Sequence, residues 1–330
     1  MTDVLVLGDL NPDLVLRGDV VPRFGQAEQL LDAADLVLGG SASITAHALA
    51  RLGRSTRIGA LTGCDMFGDA AIGLLSAQGV DTDAVIRDPG QSTGVTVVLS
   101  QGQERAILTF PGAIAALSVD QAMGLVESAA ADGARHLHVS SFFLQPALAP
   151  GLVAVLERAH VLGLSTSLDP NFDPAEQWDG VEQLLPHLDV ILPNRSETLA
   201  IAGRIAGRSF DDPADAGQLL ASRGPVVVIK DGRNGALQVN ADGSLHRDLG
   251  SPVDAIDTTG AGDTFGAAYL DSLLRGLPAA ECLRRAVLAG ALSTTAVGGT
   301  AGQPTLDQLE QPAPNRQLLT TGDPDAARQQ

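Results

Sequence analysis

Short apolar runs recur along this chain at residues 4–7, 57–61, 137–140, 164–168, 190–192 and 226–229. Helix-like segments separate them, at about 41–53, 66–79, 118–131, 147–163, 174–187 and 213–223. Each run has the length of a strand covered on both faces and is too short for a buried helix. Strands that alternate with helices become parallel neighbours joined by crossovers. The pattern therefore predicts an α/β fold with a mainly parallel central sheet and helices on both faces. Two regions interrupt it. Residues 12–38 and 92–112 read as extended, hairpin-like strands, the second turning at Gln101 and Gly102, and they predict a small antiparallel β flap that closes over a cleft. The expected organisation is one domain over 1–310 with lid segments at about 12–38 and 92–112. A polar, loosely held tail follows over 311–330, carrying Pro312, Pro314 and Pro324.

Charge narrows the partners. Asp and Glu number 39 against 21 Lys and Arg, a net charge of −18, and aromatics are 3% of the chain, so the surface suits neither a polyanion nor base stacking. No nucleic acid is expected. An anionic small ligand would have to be held locally, by backbone N–H groups, a few cations and a divalent metal. The N-terminus has no cationic leader pattern and no apolar run has membrane-spanning length, so the expectation is a cytoplasmic protein without a membrane partner. Cys64 and Cys282 lie too far apart for a metal cluster and read as reduced core thiols.

The segment with most chemistry is Asp257, Thr258, Thr259, Gly260, Ala261, Gly262, Asp263, Thr264, Phe265, which runs into an apolar helix. A glycine-rich turn on a helix N-terminus gathers free N–H groups and the positive end of the helix dipole, and so suits an anion. Asp263 could simply cap that helix. Beside a phosphate-sized anion, however, a carboxylate is repelled unless it handles a proton, as a hydroxyl attacking a phosphoryl group would require. Lys230, Asp231, Gly232, Arg233, Asn194 and Glu197 raise similar alternatives. Lys230 to Gly235 follows a strand and reads either as a hairpin turn or as a phosphate-lining loop. Asn194 and Glu197 form a helix capping box by spacing and could also hold Mg²⁺ through water; both readings can hold together. Asp9, Asn11 and Asp13 follow the first strand, and Gly39 and Gly40 open a helix. Acids there can accept hydrogen bonds from sugar hydroxyls, and paired glycines allow close backbone approach. Asp169, Pro170 and Asn171 end another strand. His136 and His138 alternate on a strand, with one expected buried and one exposed.

Taken together, these segments resemble the ribokinase-like (PfkB) family of carbohydrate kinases over roughly residues 3–305. Residues 257–265 look like the family's C-terminal signature, and Gly39-Gly40 through Arg51-Leu52-Gly53, Asp169-Pro170-Asn171, Asn194 to Glu197 and Lys230 to Gly235 follow in the right order. The resemblance implies the ribokinase-like three-layer fold. It implies Asp263 as the base toward the acceptor hydroxyl, with the amides of Gly260, Ala261 and Gly262 as the anion hole. Lys230, Gly232 and Gly235 would line the ATP pocket, with Thr258 and Asn194 beside it, and Asn194 and Glu197 would organise Mg²⁺. Asp13, Asn11, Gly39, Gly40 and Ile44 would face a sugar-like substrate under the lid. A potassium-type ion near Asp257 and Thr259 is a further implication. Independently of the resemblance, the strand edges of the flap could pair in a homodimer.

Three positions depart from the family pattern. Ile44 and Ile114 stand where asparagines are common, and Asp173 where an arginine is frequent. The expectation is an ATP- and Mg²⁺-dependent kinase for a hydroxyl of a sugar or sugar acid. A nucleoside kinase and a non-catalytic sugar or nucleotide sensor are the alternatives. A sugar-phosphate acceptor is disfavoured, because Arg17, Arg23 and Arg105 are the only cations offered by the lid segments.

Overall fold

The structure is a computed structural model that describes residues 2–26, 28–101, 104–250 and 253–311. The expected turn at Gly102 and the tail beyond 311 lie outside the described residues. The first half contains β1 (Val4–Leu7), β2 (Asn11–Arg17), β3 (Ala33–Gly39), α1 (Ser41–Arg51), β4 (Thr56–Gly59), β5 (Leu61–Gly63), α2 (Met66–Ser76), β6 (Ile86–Asp88), β7 (Val95–Gln101), β8 (Glu104–Phe110) and α3 (Val119–Ala131). Next come β9 (His136–Ser140), α4 (Leu152–Val161), β10 (Ser165–Asp169), α5 (Val181–Leu184), β11 (Val190–Ile191), α6 (Arg195–Ala206) and α7 (Pro213–Ala221). The chain continues through β12 (Val226–Lys230), β13 (Ala236–Val239), β14 (Leu245–Asp248), α8 (Ala261–Leu274), α9 (Ala279–Ser293) and α10 (Leu306–Glu310).

The main sheet has the order β14-β13-β12-β11-β10-β9-β1-β4. From β12 to β4 every pairing is parallel, while β13 and β14 add an antiparallel end. Alternate side chains of one strand enter different helical layers: Leu5 and Leu7 join a core built with α3 and α4, while Val4 and Val6 join one built with α1, α8 and α9. This is the expected three-layer α/β fold. Local chemistry sets the helix starts, as where Asp65 accepts from the Gly68 amide at α2 and a Ser118–Gln121 capping box opens α3.

The segments expected to form the lid make a separate four-stranded sheet, β3-β2-β7-β8. Each hairpin is antiparallel, but β2 and β7 pair in parallel, which corrects the purely antiparallel flap. The reason is simple: both are the first strand of their hairpin, and they meet at the seam.

Three other expectations fail. Residues 174–187 are helical only at α5 and a short 3-10 turn, because the Asp173 carboxylate gathers the amides of Ala175, Gln177 and Trp178 at 2.7–2.9 Å into a loop. His136 and His138 are both buried, since helices cover both faces of β9. They lie in a hydrogen-bonded chain with Ser165, Ser167 and Ser140, and burial pushes their pKa values down to about 4 and about 3, so both are neutral. Cys64 is exposed, just before α2, and only Cys282 is a core thiol.

Candidate active site

Parallel strands deliver their carboxyl ends to one edge, and the polar segments singled out by sequence collect there. Asp9 follows β1, Ser140 ends β9, Asp169 ends β10, Asn194 follows β11 and Lys230 ends β12. The N-terminus of α8 arrives at the same edge. Gly260 takes φ 69°, a left-handed conformation, and no side chain caps the helix there. The first-turn amides are therefore open to the cleft, except that Ala261 donates to the Thr258 carbonyl at 3.3 Å.

Asp263 does not cap α8. Its Oδ1 instead accepts from Ser41 Oγ at 2.5 Å. Ser41 is the first residue of α1, and that helix is anchored by Asp9, whose carboxylate accepts from the amides of Ser41 and Ala42 at 3.0 and 2.8 Å. Asp9 is thus spent on a helix terminus. Burial pushes the Asp263 carboxyl up to about 7, with the charges of Asp169 and Asp9 adding to the rise while Ser41 and Lys230 oppose it. A carboxylate in that range is matched to proton abstraction near neutral pH. Neither the Ser41 contact nor its role is legible in the sequence, since 222 residues separate the partners.

On one side of Asp263 lies the second polar group. Asn194 and Glu197 do form the capping box of α6: Glu197 accepts from the Asn194 amide at 2.8 Å and from Asn194 Nδ2 at 2.6 Å, and Asn194 Oδ1 accepts from the Glu197 amide at 2.9 Å. Lys230 donates to Asp169 Oδ2 at 2.5 Å. Burial works against the ammonium, yet Asp169 and Glu197 hold its pKa above the usual range. Gly232 has φ 56° and open space around it, whereas a Cβ on Gly235 would sit 1.8 Å from the Asp248 carbonyl. Gly235 is therefore required by packing against β14; Gly232 remains free for a close ligand. Among the described residues no three His, Cys, Asp or Glu side chains form a metal cluster. The oxygens of Asn194 and Glu197 all accept within the capping box, so a hard cation beside them would be met through its waters.

On the other side is a cavity of about 240 Å³, lined by Asn11, Asp13, Gly40, Ser41, Ile44, Asp263 and lid residues of β7 and β8. Asn11 Nδ2 donates to Asp13 Oδ1 at 3.1 Å. The glycine pair makes room for these side chains: a Cβ on Gly39 would lie 1.7 Å from Asp13 Oδ1, and one on Gly40 would lie 2.9 Å from Asn11 Oδ1. Ile44 is buried, with its side chain against Gly260 and Gly299, so it braces the turn before α8 as well as lining the cavity. Ile114 packs under Gly94 and does not line the cavity. Asp173 is occupied by its loop amides.

The Asp257 carboxylate ties the turn together by accepting from Thr259 N and Oγ1 and from the Gly298 amide, at 2.7–2.9 Å. The oxygens expected to hold a potassium-type ion instead receive a lid side chain: Arg105 donates to Asp257 Oδ1 at 3.2 Å and to Thr259 Oγ1 at 2.5 Å, and also to Thr258 Oγ1 at 2.7 Å. The structure therefore gives potassium no support.

Asp13 yields a stability prediction. Burial, with the nearby Asp9 charge, raises its pKa to about 7. The stabilising contribution of a carboxyl raised in the fold is complete below its unfolded pKa near 4 and is lost as pH rises through 7. Asp13→Asn is therefore expected to raise the melting temperature at pH 8 by about 2–5 °C and to change it little at pH 4, as read by calorimetry. An unchanged or lowered melting temperature at pH 8 would contradict the burial cost.

A family model described as pfkB family carbohydrate kinase matches residues 1–306. The ribokinase of Schizosaccharomyces pombe is 27% identical over 323 residues, covering 94% of this chain and 97% of its own. An ATP-dependent ribose-1-phosphate kinase of Halopiger xanaduensis is 29% identical over 313 residues, covering 94% and 97%. An Escherichia coli protein described as a ribokinase II, solved in complex with ATP and Mg²⁺, superposes with a TM-score of 0.80 at 23% identity, covering 94% of this chain and 98% of that one. Among the described residues no helix is long and apolar enough to cross a membrane.

Proposed function

Because the chain belongs to the pfkB family of carbohydrate kinases, we propose that it transfers the γ-phosphoryl group of ATP to a hydroxyl of a sugar or sugar acid, with Asp263 as the base. At the coarser level it is an ATP-dependent sugar or nucleoside kinase. One observation carries the finer reading. Asp263, with a carboxyl raised to about 7, stands between the Asn11–Asp13 cavity and the open N-terminus of α8.

In this reading Asn11 and Asp13 hold acceptor hydroxyls under the lid, with Gly39 and Gly40 making the room. Asp263 takes the proton of the attacking hydroxyl while the turn Gly260 to Gly262 receives the charge of the transferred group. Asn194 and Glu197 would hold Mg²⁺, which supplies charge neutralisation between the phosphates when bound. Lys230 and Gly232 face the nucleotide side, with Gly235 fixing their loop against β14, whereas Thr258, expected beside the ATP pocket, lines the acceptor cavity together with Arg105. Ile44, Val98 and Leu144 give the acceptor cavity an apolar wall, which favours a sugar that lacks a hydroxyl on that face. The lid's edge strands β3 and β8 expose Leu36, Ile107, Leu108 and Phe110, the surface a lid-paired homodimer would use.

The test is ADP release across a panel of sugars, deoxysugars, sugar acids and nucleosides, with Asp263→Asn alongside. Turnover of a sugar or sugar acid that the variant loses supports the reading. Turnover of nucleosides alone selects the nucleoside kinase, and ATP binding without any turnover selects the sensor.

A further inference from the structure

Lys230 lies against the turn that carries Asp263. Its side chain is only 13% exposed, and a Cβ built on Gly262 would lie 3.4 Å from Nζ and 3.6 Å from Cδ. The lysine therefore runs along the first turn of α8 and places its ammonium beside the amides of the proposed anion hole. Asp169 Oδ2 accepts a hydrogen bond from the ammonium, while Asp169 Oδ1 accepts from the Asn171 amide at 3.3 Å. Among the described residues Asp169 is the only hydrogen-bond partner of Nζ. Two ammonium N–H directions are left for a group in the cleft.

The charges around Nζ are Asp169, Glu197 and Asp263, and those around Asp263 are Asp169, Lys230 and Asp9. A cation among three carboxylates could pair with any of them. The geometry resolves the choice, because the hydrogen bond goes to Asp169 and leaves Asp263 to Ser41.

We infer that Lys230 is a catalytic residue that contacts the phosphoryl group in flight, and that Asp169 is the positioning residue that holds its ammonium at the anion hole and off Asp263. This rests on the kinase reading above. In the step itself, the acceptor oxygen forms a bond to the γ-phosphorus while the bond from that phosphorus to the β,γ-bridging oxygen breaks. The acceptor proton goes to Asp263 and the electron pair leaves with ADP. Lys230 moves no proton. Its fixed positive charge lies where negative charge accumulates, and a charge already in place costs no reorganisation. Asp169 supplies that placement, and without it the ammonium is free to pair with Asp263 and occupy the base.

The experiment uses the full chain, the acceptor identified by the panel, and ATP binding measured by calorimetry. Lys230→Met is expected to lower kcat by about 10²–10³-fold and to leave the KM and Kd for ATP within about threefold. A raised KM and Kd for ATP with kcat preserved would make Lys230 a nucleotide-binding residue and overturn the inference. Asp169→Asn is expected to lower kcat by about tenfold, a loss absent in the Lys230→Met background, and to move the acid limb of kcat/KM to lower pH, because the Asp169 charge that raises Asp263 is gone and Lys230 turns to Asp263. An unmoved limb overturns the positioning role, and this variant also serves if Lys230→Met fails to fold. A wild-type chain that turns over no acceptor sinks the kinase reading itself. An active wild type with an equally active Lys230→Met sinks only this inference.

Discussion

Asp263→Asn is expected to lower kcat by about a thousandfold while leaving ATP binding in place, the loss typical of removing a positioned general base. The asparagine keeps the shape and can still meet Ser41, so the loss reports the proton and not the packing. The pH dependence gives a second reading. With its carboxyl at about 7, Asp263 is protonated below that pH and cannot accept the hydroxyl proton. The wild-type kcat/KM should therefore fall about tenfold per pH unit on the acid side. Ser41→Ala removes a hydrogen bond that pulls this pKa down and should move the acid limb upward. A limb at pH 4 to 5 in the wild type, or one that Ser41→Ala leaves in place, would overturn the assignment. The same raised carboxyl disfavours the fold at neutral pH, since its stabilising contribution disappears as pH rises through about 7. Asp263→Asn should therefore melt higher than the wild type at pH 8, an exchange of stability for activity typical of strained sites.

Gly260→Ala should cost both folding and turnover. At φ 69° an alanine pays roughly 1–2 kcal/mol for the left-handed conformation. Its Cβ would also stand 2.7 Å from the Gly299 carbonyl oxygen and 3.0 Å from Ile44 Cγ2. Neither neighbour can yield easily, because one is backbone and the other is a buried side chain, so overpacking adds about 1–3 kcal/mol. We expect a melting temperature lower by about 5–10 °C. Among molecules that remain folded, kcat should fall at least a hundredfold as the anion-hole amides shift. A variant with wild-type kcat would show that the turn does not hold the transferred group.

What was legible in the sequence shares one property: its cause is local. Strand and helix alternation follows from short apolar runs, and it held wherever both faces of a strand are covered. It failed at 174–187, where a buried Asp173 draws three amides to itself and outweighs helical propensity. It also misread His136 and His138, because alternation along a strand separates two layers and not inside from outside when helices cover both faces. The motif at 257–265 and the capping box at 194–197 were legible because their residues are contiguous. Ile44 was noted as a missing amide, yet the structure shows it bracing Gly260, a contact without any sequence signal.

The amino-acid sequence alone determined the class of fold, the edge of the sheet where the polar segments gather, and the glycine turn that carries the acid proposed as the base. Those follow from hydrophobic period, strand polarity and glycine placement, all readable within a few residues. Only the tertiary structure decided which charge faces which: Asp9 on the end of α1, Ser41 on Asp263, Asp169 on Lys230 and Arg105 on Asp257. These pairs join residues 32 to 222 positions apart. Coulombic and hydrogen-bonding energies depend on separations of a few ångströms, and those separations are set only once the sheet has brought its strand ends together.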